Sequence, residues 1–147
     1  MKVCIIIPVF NEQDFIKKSV ESLINQTIKP AEVIYVNDNS TDNSKNIINN
    51  LIGKYEWIRV IDHKSVQKHI PGSKVIEAFN FGLKNLETQF DVICKFDGDI
   101  IFPKNYIEKI IEIFSENEKV GIAGGNLYVL KNGKWIYENI AAKTHVR

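Results

Sequence analysis

Short apolar runs rich in Val and Ile alternate along the chain with longer segments in which apolar residues recur every three or four positions. Residues 3–7 form the first run and read as a buried strand ended by Pro8. Ile16, Val20, Leu23 and Ile24 then fall on one helix face. Residues 33–36 predict a second strand, and residues 38–42 follow it with loop chemistry and several N-cap residue types. Ile47, Ile48, Leu51 and Ile52 supply the next helical stripe, and residues 57–61 a third strand. After Pro71 and Gly72, the positions Val75, Phe79, Leu83 and Leu86 mark a third helix, and residues 92–96 a fourth strand. Pro103 suits the first turn of a helix whose apolar face is Ile107, Ile110, Ile111 and Phe114.

Beyond that helix the pattern changes. Residues 120–123 are strand-like, and residues 127–130 and 135–137 flank an Asn132-Gly133 step. Both residues of that step tolerate positive φ, which predicts a hairpin. Alternating strand and helix predicts an α/β fold: a mostly parallel, Rossmann-like sheet flanked by helices, finishing in a C-terminal antiparallel hairpin. No repeat, low-complexity tract or linker interrupts the 147 residues, and that length predicts one domain over 1–147.

Composition narrows the function. The chain is 44% apolar and 25% charged with a formal net charge of +1, ordinary for a globular protein. Only Arg59 and Arg147 among the 19 basic residues are arginines, and no dense Lys/Arg block occurs, which argues against nucleic acid as the partner. Cys4 and Cys94 lie far apart inside apolar runs and read as buried free thiols in a reducing compartment. The first apolar run is too short for a signal peptide, and no run approaches the roughly 20 residues of a membrane span. The expected location is cytoplasmic, with peripheral attachment at the inner face of the membrane or to a partner chain left open.

In an open α/β sheet the ligand site lies at the carboxyl ends of the strands. Pro8, Val9, Phe10, Asn11 and Glu12 follow the first strand, Asn37, Asp38 and Asn39 the second, and Asp97, Gly98 and Asp99 the fourth. Asp38, Asp97 and Asp99 are therefore expected to face one crevice. Two unit charges about 5 Å apart repel by roughly 3 kcal/mol at an effective dielectric near 20. A divalent cation or ligand donors would offset that cost, and hard oxygen ligands at low count suit Mg²⁺ or Mn²⁺ bridging to phosphate. Taken alone, a D-x-D is weak, because Asp is common in turns and a solvated loop explains most instances. His63, His69 and His145 show no metal-ligand spacing and read as polar loop or edge residues, with His69 nearest the crevice. G-x-S-x-G, G-x-x-x-x-G-K-[ST] and G-x-G-x-x-G are all absent. A phospho-receiver domain would need an acidic pair where the first strand ends in Pro8-Val9-Phe10-Asn11-Glu12.

The order of five stretches adds what no single motif supplies. These are residues 5–12 (Ile-Ile-Ile-Pro-Val-Phe-Asn-Glu), 22–27 (Ser-Leu-Ile-Asn-Gln-Thr), 36–42 (Val-Asn-Asp-Asn-Ser-Thr-Asp), 78–82 (Ala-Phe-Asn-Phe-Gly), and 96–99 (Phe-Asp-Gly-Asp) with Pro103 after it. In these stretches the chain resembles the family 2 glycosyltransferases of the GT-A fold, over essentially its whole length. The resemblance implies an inverting, divalent-metal-dependent transfer of a sugar from a UDP-, GDP- or dTDP-linked donor to a saccharide or lipid-linked acceptor. It implies that Pro8, Phe10 and Asn11 hold the base with Glu12 opening the next helix, that Asp38 reads the base, that Asp97 contacts the ribose, and that Asp99, with Asp97, ligates Mn²⁺ or Mg²⁺. Lys74 would lie near the phosphates, although a solvated helix-end lysine explains it as well.

The chain departs from the family pattern at Asn37, where many members have Asp, and over residues 69–74, where the usual basic motif is unclear. The resemblance also implies a general base beyond the hairpin. Of the later carboxylates, Glu108, Glu112 and Glu116 read as a solvated helix face, Glu118 as loop, and Glu138 as a surface strand position. The chain is thus expected to stop before the acceptor-binding part, and a non-catalytic nucleotide-binding module is the alternative reading.

Overall fold

The computed structural model describes residues 1–65 and 73–138. Residues up to Ile111 make one compact unit and those from Glu112 a second.

In the first unit, β1 (Val3–Val9), β2 (Glu32–Asp38), β3 (Ile58–His63) and β4 (Val92–Lys95) form one parallel sheet in the order β3-β2-β1-β4. α1 (Ile16–Ile24), α2 (Ser44–Ile52) and α3 (Ser73–Lys84) connect them, and α4 (Tyr106–Glu116) follows. Every residue of β2 is buried, and β1 is buried except at Pro8, which is why both read as continuous apolar runs rather than alternating ones. Register is regular: Ile6 lies beside Ile34 and Lys95, and Ile34 beside Arg59.

One sheet face, carrying Ile6, Ile34 and Val36, packs against Ala78 of α3, with Ile61, Phe79, Phe81, Leu83, Leu86 and Ile93 around them. Gly82 lets α3 lie close: a β-carbon there would stand 2.6 Å from Ile6 Cγ2 and 2.9 Å from Val36 Cγ2. Strand alternation sends Ile5, Ile7, Val33 and Tyr35 to the opposite face. There Ser19 of α1 faces the Tyr35 hydroxyl, whose burial pushes the phenol pKa up. Ile16, Val20, Leu23, Ile48, Ile107 and Ile110 are buried as well.

The elements differ from expectation mainly at their ends. β2 runs on through Asn37 and Asp38, and β3 begins one residue later and runs two residues further, to His63. Pro103 precedes α4 by three residues; its carbonyl accepts both the Tyr106 amide and the Gln26 side chain. Val75, expected on the apolar face of α3, is 41% exposed because the first turn of that helix overhangs the ends of the strands.

In the second unit, β5 (Tyr128–Lys131) and β6 (Lys134–Tyr137) pair antiparallel. Asn132 (φ 51°) and Gly133 (φ 75°) make the turn, so the Asn-Gly reading holds. The strand expected over 120–123 does not form. Ile122 is 88% exposed, and a β-carbon at Gly121 or Gly124 would meet open space, so no burial there favours an extended conformation. Glu138, expected on a strand, lies just past β6, its amide donating to the Leu127 carbonyl. Among the described residues, no helix is long and apolar enough to cross a membrane.

Candidate nucleotide site

The sheet order reverses between β1 and β4, and a crevice opens at the carboxyl ends of the strands there. A cavity of about 500 Å³ occupies it. Pro8, Val9, Phe10 and Glu12 line it from the β1 end, Asp38, Asn39 and Ser65 from the β2 and β3 ends, Asp97, Gly98 and Asp99 from the β4 end, and Lys74, Val75 and Ala78 from α3. The structure thus gathers seven of the eight sequence-derived positions, Pro8, Phe10, Glu12, Asp38, Lys74, Asp97 and Asp99, around one space.

Asn11 is the exception. Its backbone is left-handed (φ 56°), and its side chain turns away into the loop after β2. Its Oδ1 accepts the Thr41 amide at 2.8 Å and the Asp42 amide at 3.3 Å, while its own amide donates to Ser40 Oγ. The Glu12 amide donates to Ser44 Oγ at 2.8 Å and the Gln13 amide to Asp42 Oδ2 at 3.0 Å. The two loops that frame the cavity are therefore joined by a ladder of hydrogen bonds. Burial raises the Asp42 carboxyl, but bonds from the Ser44 hydroxyl and amide and from Gln13 outweigh it and hold Asp42 below the ordinary carboxylate range.

The cavity is apolar along Val9, Phe10, Val75 and Ala78 and acidic toward β4. Phe10 is 58% exposed, an energetic cost that a stacked planar ligand would offset. Asp97 and Asp99 are exposed, and Lys95 Nζ lies 2.5 Å from Asp97 Oδ1. Desolvation pushes the Glu12 carboxyl above its ordinary value, and the charges of Asp99, Asp42 and Asp97 push it further. Gly98 keeps this corner open, since a β-carbon there would sit 3.2 Å from Glu12 Cγ.

That repulsion tests the fit of a divalent cation. Among the described residues, no three His, Cys, Asp or Glu side chains converge closely enough to hold a metal ion by themselves. Hard carboxylate oxygens in an open acidic corner fit an ion that takes the rest of its shell from phosphate oxygens and water.

Asp38 ends β2 and Asp97 follows β4, the two strands that flank β1, so they face the crevice from its two sides. Asp38 is buried, and its Oδ1 accepts the Ser65 amide at 3.0 Å and lies 3.1 Å from His63 Nδ1. His63, at the end of the edge strand β3, is an edge residue as expected; it does not line the cavity but holds Asp38, which does. The only sequence signal for it is its place at a strand end, hidden by ending that strand at Ile61. His69, His145 and residues 69–72 of the departing segment lie outside the described residues. Asn37, where an acid was expected, donates from Nδ2 to Asp62 Oδ1 at 2.9 Å; an acid there would face Asp62 across the strand pair.

Glu108, the one carboxylate between Asp99 and the end of the first unit, does not line the cavity. Glu108 is not simply solvated, because its carboxylate accepts the Thr27 hydroxyl at 3.1 Å.

Comparison with known proteins places this arrangement. The chain is 30% identical to the probable glycosyltransferase YdaM of Bacillus subtilis over 135 residues, covering 90% of this chain and 31% of that protein. Two further curated relatives are matched over 18% of their lengths, so the chain spans about a third or less of these proteins. Its fold is similar to that of S. aureus TarS in complex with UDP (TM-score 0.62, 24% identity, 80% of this chain and 33% of that one). It is also similar to the mannosyltransferase PcManGT of Pyrobaculum calidifontis in complex with GDP-Man and Mn²⁺ (TM-score 0.64, 17% identity, 78% of this chain and 32% of that one). These likenesses identify the sheet as a GT-A fold. With the glycosyl transferase family 2 model matching residues 4–145, across both loops and the Asp97-Gly98-Asp99 corner, the chain belongs to that family.

Proposed function

We propose that the cavity binds the nucleoside diphosphate of a nucleotide-sugar and that the chain is the donor-binding part of an inverting glycosyltransferase acting on a saccharide or lipid-linked acceptor. The observation that carries this reading is the convergence of Phe10, Asp38, Lys74, Asp97 and Asp99, from four separate segments, on one space. Phe10 packs against the base and Asp38 accepts its ring N–H, a strong bond because the acceptor is charged. Asp97 accepts from the ribose, and Lys74 faces the diphosphate. Asp99, with Asp97 beside it, would hold Mn²⁺ or Mg²⁺, which when bound stabilises negative charge on the leaving diphosphate. Support for the donor class comes from UDP in TarS and GDP-Man with Mn²⁺ in PcManGT.

The test is a thermal-shift screen of nucleoside diphosphates and nucleotide-sugars with and without Mn²⁺, since a ligand that binds the folded state raises its apparent stability. The expected result is a metal-dependent shift with at least one diphosphate, lost in Asp99→Ala. Calorimetry showing no nucleotide binding with either ion would overturn the reading.

One observation favours a second reading, a nucleotide-binding module without transfer. Inverting transfer needs a carboxylate to take the acceptor proton, and Glu108, the one carboxylate between Asp99 and the end of the first unit, does not line the cavity. Steady sugar transfer by the purified chain would exclude it.

A further inference from the structure

We propose that His63 sets the choice of base: with the Ser65 amide it makes Asp38 a one-oxygen acceptor that selects uracil or thymine over guanine. The inference rests on the nucleotide-binding reading above. Asp38 and His63 end β2 and β3 and lie directly opposite one another in the parallel register, so their side chains project from the same face. The pair is shielded, with side chains 8% and 16% exposed, and the imidazole packs on Phe81 with ring centroids 4.8 Å apart. Facing a carboxylate oxygen, Nδ1 is the ring nitrogen that carries the hydrogen.

Asp38 Oδ1 therefore takes two donors, His63 Nδ1–H and Ser65 N–H, which fills its two acceptor positions. The oxygen left for a ligand in the cavity is Oδ2. Uracil and thymine present a single ring N–H between two carbonyls, which one carboxylate oxygen satisfies. Guanine presents a ring N–H and an amino N–H side by side, and that pair draws its full strength only from both oxygens of a freely turned carboxylate. Cytosine presents one amino N–H beside an unprotonated ring nitrogen, so a carboxylate that accepts from the amino group also meets the repelling lone pair of the ring. His63 touches Asp38 and not the base, so it is a positioning residue. Phe81 and the strand pairing hold its ring so that the carboxylate stays in this one orientation.

Calorimetry of the chain with UDP, dTDP, GDP and CDP in Mn²⁺ tests this, alongside His63→Leu, His63→Asn and Asp38→Ala. The wild-type chain is expected to bind UDP or dTDP at least about tenfold more tightly than GDP. His63→Leu removes the donor while keeping the bulk, and the preference should fall to within about threefold; His63→Asn keeps a donor near the Nδ1 position and should restore it. Long-range ¹H–¹⁵N spectra of the wild-type imidazole should show the hydrogen on Nδ1. An unchanged preference in a cooperatively melting His63→Leu variant, a wild-type preference for GDP, or a neutral imidazole with its hydrogen on Nε2 each overturns the proposal. Wild-type binding that Asp38→Ala leaves intact overturns the placement of the base at Asp38. A wild-type chain that binds none of the four overturns the nucleotide reading itself and this inference with it.

Discussion

The Oε1 of Gln26 accepts the backbone amide of Ile107 at 3.0 Å, tying the end of α1 to the first turn of α4 across 81 residues of sequence. The other end of the same amide donates to the carbonyls of Pro103 at 2.7 Å and Ser22 at 3.0 Å. A helix start leaves backbone N–H groups unpaired, and here a buried side chain from another element serves as the partner. Gln26 is only 2% exposed, and its loss takes the side-chain partner from the buried Ile107 amide and from the Ser22 carbonyl, while the Pro103 carbonyl keeps the Tyr106 amide. Gln26→Leu is expected to destabilise the fold by about 2–4 kcal/mol, read from urea denaturation midpoints, whereas a change below about 0.5 kcal/mol would mean that these bonds contribute little.

Gly82 offers a second test, on the opposite face of the sheet. An alanine methyl would enter the space held by Ile6 Cγ2 and Val36 Cγ2, both on fully buried side chains of central strands. Helix propensity alone favours Ala over Gly by about 1 kcal/mol, so packing and propensity pull in opposite directions. Overpacking a tight core costs about 1–3 kcal/mol, which decides the sign: Gly82→Ala is expected to lower the urea midpoint. A raised midpoint would show that α3 can lift from the sheet without loss.

The parallel strands are legible in the sequence because β1 and β2 are buried on both faces, which forces unbroken runs such as Cys4-Ile5-Ile6-Ile7 and Val33-Ile34-Tyr35-Val36. The cavity walls are legible for a related reason, since residues that follow such runs must emerge at the strand ends. His63 is hidden because β3 ends in Asp62 and His63, polar residues that carry the pairing on past its apolar part. The side-chain direction of Asn11 is hidden too, because its partners Thr41 and Asp42 belong to a loop that only the fold brings near. The strand read over 120–123 fails because apolar residues predict an extended segment only where something covers them.

Glu12 links stability to pH. Its folded-state pKa is raised, first by desolvation and then by Asp99, Asp42 and Asp97, so ionising it costs more in the folded chain than in the unfolded one. A raised carboxyl pKa favours folding fully below the unfolded value and loses that contribution as pH rises through the folded value. Glu12→Gln removes the charge and with it that loss. Thermal melts should therefore show the variant more stable than wild type at pH 7, with the difference shrinking toward zero near pH 4. An equal difference at both pH values would assign the effect to packing instead of charge.

Asn11 separates backbone strain from hydrogen bonding in the loop ladder. At φ 56° a residue with a β-carbon is strained unless its side chain bonds locally, and Asn11 does so through Thr41 and Asp42. Asn11→Gly keeps the backbone conformation and loses the acceptor, which should cost about 1 kcal/mol. Asn11→Ala loses the acceptor and adds left-handed strain of about 1–2 kcal/mol, so it should be the less stable of the two. Because the side chain stays out of the cavity, both variants are expected to bind a nucleoside diphosphate when the folded fraction is restored by lower temperature. Their affinity loss should follow the loosening of the loops that carry Phe10 and Asp38. Equal stability of the two variants in urea would show that the loop after β1 relaxes out of the left-handed conformation once the Asn11 carbonyl is gone.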